Sequence, residues 1–335
     1  MKVITFGEIM LRLTPSQIGG KLKTASELTV SYAGSESNVA SSLAEFGHDA
    51  HFVTKLPGNE LGQGAVRSLH SYGVNTSDIL FADGRIGTYF IEAGKSIRPS
   101  QIVYDRRDSV FSSIDPGEFA WEKILEGASW LFVSGITAVL SEHCAYELIK
   151  VTSMARKMNV GVAFDMNYRR SLWKSRTHAA RIFDQVLPYT DVLLGNAGVL
   201  TDVYDMKFSG STDEEITVDA MQKAHSQFGV TQSSFTIRKH HSASENSLQA
   251  VYFDGTSPFS SKEYNVEIMD RLGTGDAFAA AFIHGLANQW DNQKIIEFAA
   301  AAFALKHTIL CDQNTSTEAE IMSIADGNTH GHIIR

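Results

Sequence analysis

Cysteine is scarce in this chain: only Cys144 and Cys311 occur, far apart and in no Cys-x-x-Cys pattern. Neither a disulfide framework nor a thiolate metal site is suggested, and a reducing compartment fits. Excess positive charge is missing too. The 29 lysines and arginines stand against 38 aspartates and glutamates, a formal net charge of -9, which leaves no electrostatic footprint for a nucleic-acid backbone or an anionic membrane. No apolar run reaches the roughly 18 residues a membrane span needs. Residues 1–7 enter a strand-like apolar run with no basic leader and cleavage pattern in order. These absences predict a soluble, cytoplasmic protein with neither nucleic-acid nor membrane partners. An anionic small substrate stays open, because a few arginines converging on one pocket dominate the local field there.

What is present is enough apolar material for a large core, 43% hydrophobic residues over 335 positions. From about residue 120 onward, short apolar runs alternate with longer amphipathic stretches, the pattern of βα units feeding a parallel sheet. Strands are predicted at 130–134, 160–165, 191–195 and 234–238, and helices at 141–158, 176–187 and 213–229. The first third differs. Extended pieces around 11–13, 28–32, 87–92 and 101–105, bounded by Gly, Pro and Ser, predict a small separate sheet. A first helix is predicted over 36–46, ended by Gly47, and the chain after Asp270 is read as helices at 274–289, 292–307 and 317–325, with a loosely held tail from 327 to 335. No tandem repeat or low-complexity tract occurs.

The most specific local signal is Asp270-Arg271-Leu272-Gly273-Thr274-Gly275-Asp276-Ala277-Phe278, opening an Ala-rich helix after an extended stretch. Two glycines let backbone approach a ligand closely. The first N–H groups of a helix lack intrahelical partners and carry the positive end of its dipole, so the turn suits a phosphoryl oxygen. An aspartate in the same turn can accept a proton from a hydroxyl. The plainer reading of the tetrapeptide alone is a tight turn with an acidic residue near a helix start. A Walker A motif is absent, and Gly273-Thr274-Gly275 lacks the third glycine of a dinucleotide fingerprint.

Asp-x-x-Gly-[Ala/Thr]-Gly-Asp near the C-terminus resembles the signature of ribokinase-like (phosphofructokinase B) sugar kinases. Ala33-Gly34-Ser35-Glu36-Ser37-Asn38-Val39-Ala40 resembles that family's N-terminal Gly-Gly-x-x-x-Asn-x-Ala, with Ala33 in place of the first glycine. The resemblance covers nearly the whole chain. It implies a three-layer α/β/α domain with a mainly parallel central sheet (1–9, 35–85 and 109–335) and a small β-sheet lid (10–34 and 86–108). It also implies ATP and Mg²⁺, Asp276 as general base, and Gly273, Thr274 and Gly275 as the anion hole.

Three further segments resemble the 2-keto-3-deoxygluconate kinase branch: 87–92, 103–109, and 164–169 with Leu172-Trp173. Arg106 and Arg169 each offer a planar fork for a substrate carboxylate, and Tyr89 and Tyr104 offer rings over a carbon chain. By resemblance, Gly34, Asn38 and Asp276 complete the substrate site. Each residue also has a plainer reading: Arg106-Arg107 as a solvated strand edge, the tyrosines as lid packing, Arg169 as one half of a surface ion pair. A neutral ketose or pentose such as fructose or ribose, or a catalytically weak sugar-binding regulator, remain the alternatives. Related lids pair between subunits, so a homo-oligomer through the lid is expected.

The nucleotide side departs from the family pattern. Asn196-Ala197-Gly198-Val199 stands where Asn-x-x-Glu is usual, so no protein ligand to the metal is assigned, with Asp165 and Asn196 the nearest candidates. The usual Lys-x-Gly-x-x-Gly is replaced over 238–246, and Cys311 stands where a glycine is expected before Asp312. Asn196, Arg238, Ser242, Asn246 and Lys306 are the remaining expected neighbours of ATP. The His240-His241 pair is read as a loop or surface pair rather than a metal site, and His307, His330 and His332 carry no assignment.

Overall fold

A computed structural model describes residues 1–331; positions 332–335, the end of the tail expected to be loosely held, lie outside the described residues. The larger sheet collects ten strands: β1 (Lys2–Phe6), β4 (Asp49–Pro57), β5 (Ile79–Ala82), β8 (Trp130–Ser134), β9 (Gly161–Asp165), β10 (Val192–Gly195), β11 (Gln232–His240), β12 (Glu245–Phe253), β13 (Pro258–Ser260) and β14 (Tyr264–Glu267). Their order is β13-β12-β11-β10-β9-β8-β1-β4-β5, with β14 also on β12. From β5 across to β11 every pairing is parallel; β12 runs antiparallel to its neighbours. The strands predicted at 130–134, 160–165, 191–195 and 234–238 are all present, and the helices expected beside them form at Glu142–Lys157, Arg176–Val186 and Asp213–Phe228. Side chains of Ser141, Ser175 and Thr212 cap those three helices, as the preference for short oxygen-bearing residues at that position requires.

Two apolar layers flank the sheet. One packs the helices Ser35–Glu45, Thr274–Ala287 and Asn292–Lys306 against one face; the other packs Glu142–Lys157, Arg176–Val186 and Asp213–Phe228 against the opposite face. Alanine explains the tightness of the first layer: Ala279–Ala281 and Ala299–Ala302 are buried and let helix backbones approach, and alanine has the best helix propensity. Truncating a large residue fitted among them, such as buried Phe282, is expected to cost about 3–5 kcal/mol. The result is a three-layer α/β/α architecture, as the resemblance implies.

The small sheet joins β2 (Met10–Pro15), β3 (Leu28–Ala33), β6 (Thr88–Glu92) and β7 (Gln101–Asp105) in the order β3-β2-β6-β7. Its inner face, Met10, Ala33, Tyr89 and Ile91, packs with Leu272, two residues after the strand-to-helix segment begins at Asp270. Its outer face exposes Leu28, Val30 and Val103. In the large sheet β1 lies between β4 and β8, so connections leave it in both directions; the crevice at such a reversal is where open α/β sheets bind ligands.

Candidate active site

The helix Thr274–Ala287 starts from Gly273, whose φ of 71° lies in the left-handed region. A Cβ there would come within 1.7 Å of the Asp312 carbonyl oxygen, so only glycine fits, for backbone conformation and for space. Among the described residues no side chain caps this helix. Its first amides, which have no intrahelical partners, therefore border a cleft lined by Gly273, Thr274 and Gly275. Asp276 sits in the same turn at the cleft floor. Its Oδ1 accepts from Ser35 Oγ at 2.7 Å and its Oδ2 from Asn38 Nδ2 at 2.7 Å. Burial pushes its carboxyl up to about 7, against the pull of those two hydrogen bonds. A base tuned near neutrality can both accept and release a proton in each turnover.

On one side of Asp276 lies a cavity of about 90 Å³. It brings together all the residues expected to meet the sugar: Gly34, Asn38, Tyr89, Tyr104, Arg106, Arg169 and Asp276. Gly34 is needed for close approach, since a Cβ would fall 2.0 Å from the Glu8 carbonyl oxygen. The two arginines differ. Arg106 is buried and its Nε and Nη2 both donate to Glu8 Oε2, at 2.8 and 2.5 Å; Ser109 Oγ donates to Glu8 Oε1. Its Nε–Nη2 edge is thus engaged by Glu8, while Nη1 makes no hydrogen bond with the described residues and the side chain lines the cavity; it is not a solvated strand edge. Arg169 is exposed and borders both this cavity and the larger cleft; its carbonyl accepts from Leu172 N at 2.8 Å, while its guanidinium forms no hydrogen bond or ion pair with the described residues. Asn167, with φ of 34°, places its Nδ2 3.3 Å from Ser35 Oγ and its N–H on Asp165 Oδ1 at 3.0 Å.

The other side is a larger, open cleft of about 530 Å³ lined by Asp165, Asn196, Val199, Arg238, Arg271 and the 273–275 turn. Arg238 Nη2 donates to Thr274 Oγ1 at 3.1 Å and its guanidinium lies 5.1 Å from the Phe303 ring centre. Burial, with Arg271 nearby, lowers it to about 10. Asn196 Oδ1 accepts from Val199 N at 3.2 Å, a helix cap. Asp165 is pushed up to about 6 by burial.

Three expected ATP neighbours lie elsewhere. Strand β11 runs on to His240 and β12 begins at Glu245, so the connecting loop is only 241–244. Asn246 is inside β12, opposite His240 and fully buried. Ser242 Oγ accepts from Ser244 N at 3.0 Å and its carbonyl from Arg271 Nη2 at 2.7 Å; it does not line the cleft. Lys306 is fully buried, donating from Nζ to the carbonyls of Ile309 and Cys311 at 3.0 and 2.6 Å. Long antiparallel strands fill the segment in which the usual glycine-rich pattern is replaced, and the apolar, β-prone run at 250–253 is the signal the sequence offers for the second of them.

Several site-forming residues went unread in the sequence. Arg12 is buried, with Nη2 2.6 Å from Asp270 Oδ2 and Nη1 on Asp312 Oδ1. Burial opposes its charge, but Asp312 and Asp270 outweigh that and hold it firmly protonated. Removing one member of such a buried set costs about 3–5 kcal/mol, because the others are left uncompensated. A charged residue between Leu11 and Leu13 in a predicted strand was the clue. Cys311, where resemblance put a glycine, does adopt the left-handed φ of 70°.

The comparisons with known proteins converge. Residues 1–315 match the pfkB family carbohydrate kinase profile. The 2-dehydro-3-deoxygalactonokinase of Haloferax volcanii is 30% identical over 98% of both chains. The crystal structure of a 2-dehydro-3-deoxygluconokinase from Thermotoga maritima superposes with a TM-score of 0.95 at 39% identity, covering 98% of this chain and 100% of that one. A PfkB family carbohydrate kinase from Listeria grayi gives 0.91 at 32%, covering 97% and 100%. Fold and cleft define a sugar-phosphorylating α/β enzyme. The chain belongs to the PfkB family of carbohydrate kinases.

Proposed function

We propose that this kinase moves the terminal phosphoryl group of ATP to the terminal hydroxyl of 2-keto-3-deoxygluconate. The observation that carries the substrate is Arg169, an unpaired guanidinium at the junction of the sugar-side cavity and the larger cleft. A free fork beside a base and a helix N-terminus suits a substrate with a carboxylate at one end and a reactive hydroxyl at the other. The names of the Haloferax volcanii and Thermotoga maritima relatives support a 2-keto-3-deoxy sugar acid. In this reading Asp276 takes the hydroxyl proton, the amides of 273–275 receive the phosphoryl oxygens, and Arg238 adds charge beside them. Segments 10–34 and 86–108 act as a lid over 1–9, 35–85 and 109–335, excluding water from the phosphoryl.

Mg²⁺ would neutralise phosphate charge. Among the described residues no group of three acidic, histidine or cysteine side chains is arranged to hold a metal, and Val199 borders the cleft without a donor atom. Asp165, with Oδ1 engaged only by the Asn167 amide, and Asn196 fit a role toward a hard cation that keeps most of its ligands as water and phosphate. The exposed apolar residues Leu28, Val30 and Val103 on the outer face of the small sheet support homo-oligomer formation there. Among the described residues no helix is long and apolar enough to cross a membrane.

A coupled assay with ATP and Mg²⁺ across sugar acids and neutral sugars tests the substrate. The expected outcome is kcat/KM for 2-keto-3-deoxygluconate at least about a hundredfold above fructose or ribose, the scale of one hydrogen bond to a charged group. Equal values would remove the sugar-acid assignment and favour a neutral ketose or pentose. Failure of every sugar would favour the sugar-binding regulator, against which the complete Asp276 turn already speaks.

A further inference from the structure

Arg12 does not line either cavity, yet it joins the small sheet to the segment that forms the catalytic turn. Its Nη2 donates to Asp270 and its Nη1 to Asp312, and Nε is fixed by Thr14 Oγ1 at 3.1 Å. Each aspartate in turn grips backbone. Asp270 Oδ1 accepts from Leu272 N at 3.1 Å and its Oδ2 from Cys311 N at 3.2 Å. The Asp312 carbonyl lies where a Gly273 side chain would be. Asp312 Oδ1 also accepts from Tyr89 O–H at 2.9 Å, so a second residue of the small sheet holds the same carboxylate. Behind them, Lys306 binds the Ile309 and Cys311 carbonyls, and Cys311 is kept in a left-handed conformation that side-chain-bearing residues adopt at a cost. These restraints converge on the two short segments, 270–272 and 311–312, that meet at Gly273.

We infer that Arg12 is a positioning residue for phosphoryl transfer: from the small sheet it holds Asp270 and Asp312, and through them the 273–275 amides, in the geometry that receives the moving phosphoryl. This rests on the reading of that turn as the phosphoryl-receiving element. It makes the small sheet a part of the catalytic alignment as well as a cover, because opening the sheet would withdraw Arg12 and Tyr89 together from Asp312.

The test uses Arg12→Met, which keeps the stem and removes the fork, and Arg12→Lys, in the full chain. Amide exchange measured by mass spectrometry reads the turn without any substrate; turnover and calorimetric sugar-acid affinity read its consequence. Arg12→Met is expected to speed exchange over 272–277 by about tenfold or more while the helix Asn292–Lys306 stays protected. It should lower kcat by about a hundredfold, the scale of a misplacement near 1 Å, and leave the sugar-acid Kd within about threefold. Arg12→Lys should restore part of both protection and kcat. If Arg12→Met does not fold, Arg12→Met combined with Asp312→Asn removes one of the stranded carboxylates, and the same readouts decide. Unchanged exchange and kcat would overturn the inference. So would loss of protection across the whole chain, which means general destabilisation, or parallel loss of kcat and sugar affinity with the turn still protected, which means direct ligand contact. A wild-type enzyme that ignores sugar acids would sink the substrate proposal alone, since the exchange result does not depend on it.

Discussion

The two sides of Asp276 are built by different means. On the sugar side, side chains bind other side chains in a small cavity: Ser35 and Asn38 on Asp276, Asn167 on Ser35, Arg106 on Glu8. On the proposed nucleotide side, a cleft roughly six times larger is bordered mostly by strand ends, helix starts and the turns between them. A surface that reads its ligand through side chains fixes their identity, whereas one that reads it through main chain fixes only the path of the chain. Of the departures from the family pattern, Val199 borders the larger cleft, while 241–244 and Cys311 stand outside its lining.

The largest way to break the contrast is at its centre. Asp276→Asn is expected to lower turnover by at least about a hundredfold, the lower range for a lost general base, while sugar-acid affinity measured by calorimetry stays nearly intact. Unchanged turnover would mean that the base lies elsewhere. The same carboxyl carries a stability signature. Folded, it holds its proton up to about 7; unfolded, it releases it near 4. The folded state therefore binds more protons between those limits, and this group's contribution to stability falls as pH rises through that window. Asp276→Asn should raise the melting temperature relative to wild type at pH 8, with the difference closing toward pH 5. A constant difference across pH would contradict a buried, ionising Asp276. In the wild type, kcat/KM should fall as pH drops below about 7, because the base becomes protonated.

A smaller effect sharpens the sugar side itself, since its two arginines are not equivalent. Arg169→Ala removes the unpaired fork and is expected to raise KM for the keto acid by about 10- to 100-fold, the range for a charge-assisted hydrogen bond. A neutral sugar assayed in parallel should change little. Equal weakening of both would make Arg169 structural. Arg106, bound by Glu8, contributes to the same cavity by shape, and its loss would register first in melting temperature.

How much of this was legible before the structure follows from the same distinction. Strand and helix periodicity located the βα units because parallel strands buried on both faces must be continuously apolar, and the four extended pieces of the first third had no helical alternative. Gly273 is legible in the Gly-Thr-Gly turn and Gly34 only through its resemblance to a family motif; in both places the structure's backbone contacts leave room for no other residue. Arg12 was passed over because a lone arginine in a strand normally faces solvent; what makes it buried is a pair of acids more than 250 residues away. Asn246 follows the segment where the usual glycine-rich loop is replaced, and β12 runs through it; Lys306 is expected near ATP as a helix residue, but its amine turns to the Ile309 and Cys311 carbonyls. Nothing local distinguishes a lysine reaching for phosphate from one capping the carbonyls of its own next turn.

The smallest expected effect bears on the nucleotide side. Ser242 belongs to the replaced loop and was expected near ATP, but its hydroxyl accepts from the Ser244 amide and its carbonyl from Arg271. Ser242→Ala deletes the first of these and keeps the second, because the carbonyl belongs to the main chain. The change should therefore loosen the 241–244 turn slightly and move KM for ATP by no more than about twofold, the size of an ordinary surface substitution. Titrating ATP at saturating sugar acid checks it. A tenfold rise in KM would show that this loop reads the nucleotide through its side chains after all, and the contrast between a side-chain-built sugar site and a backbone-built nucleotide site would fail at the position where it is most exposed to failure.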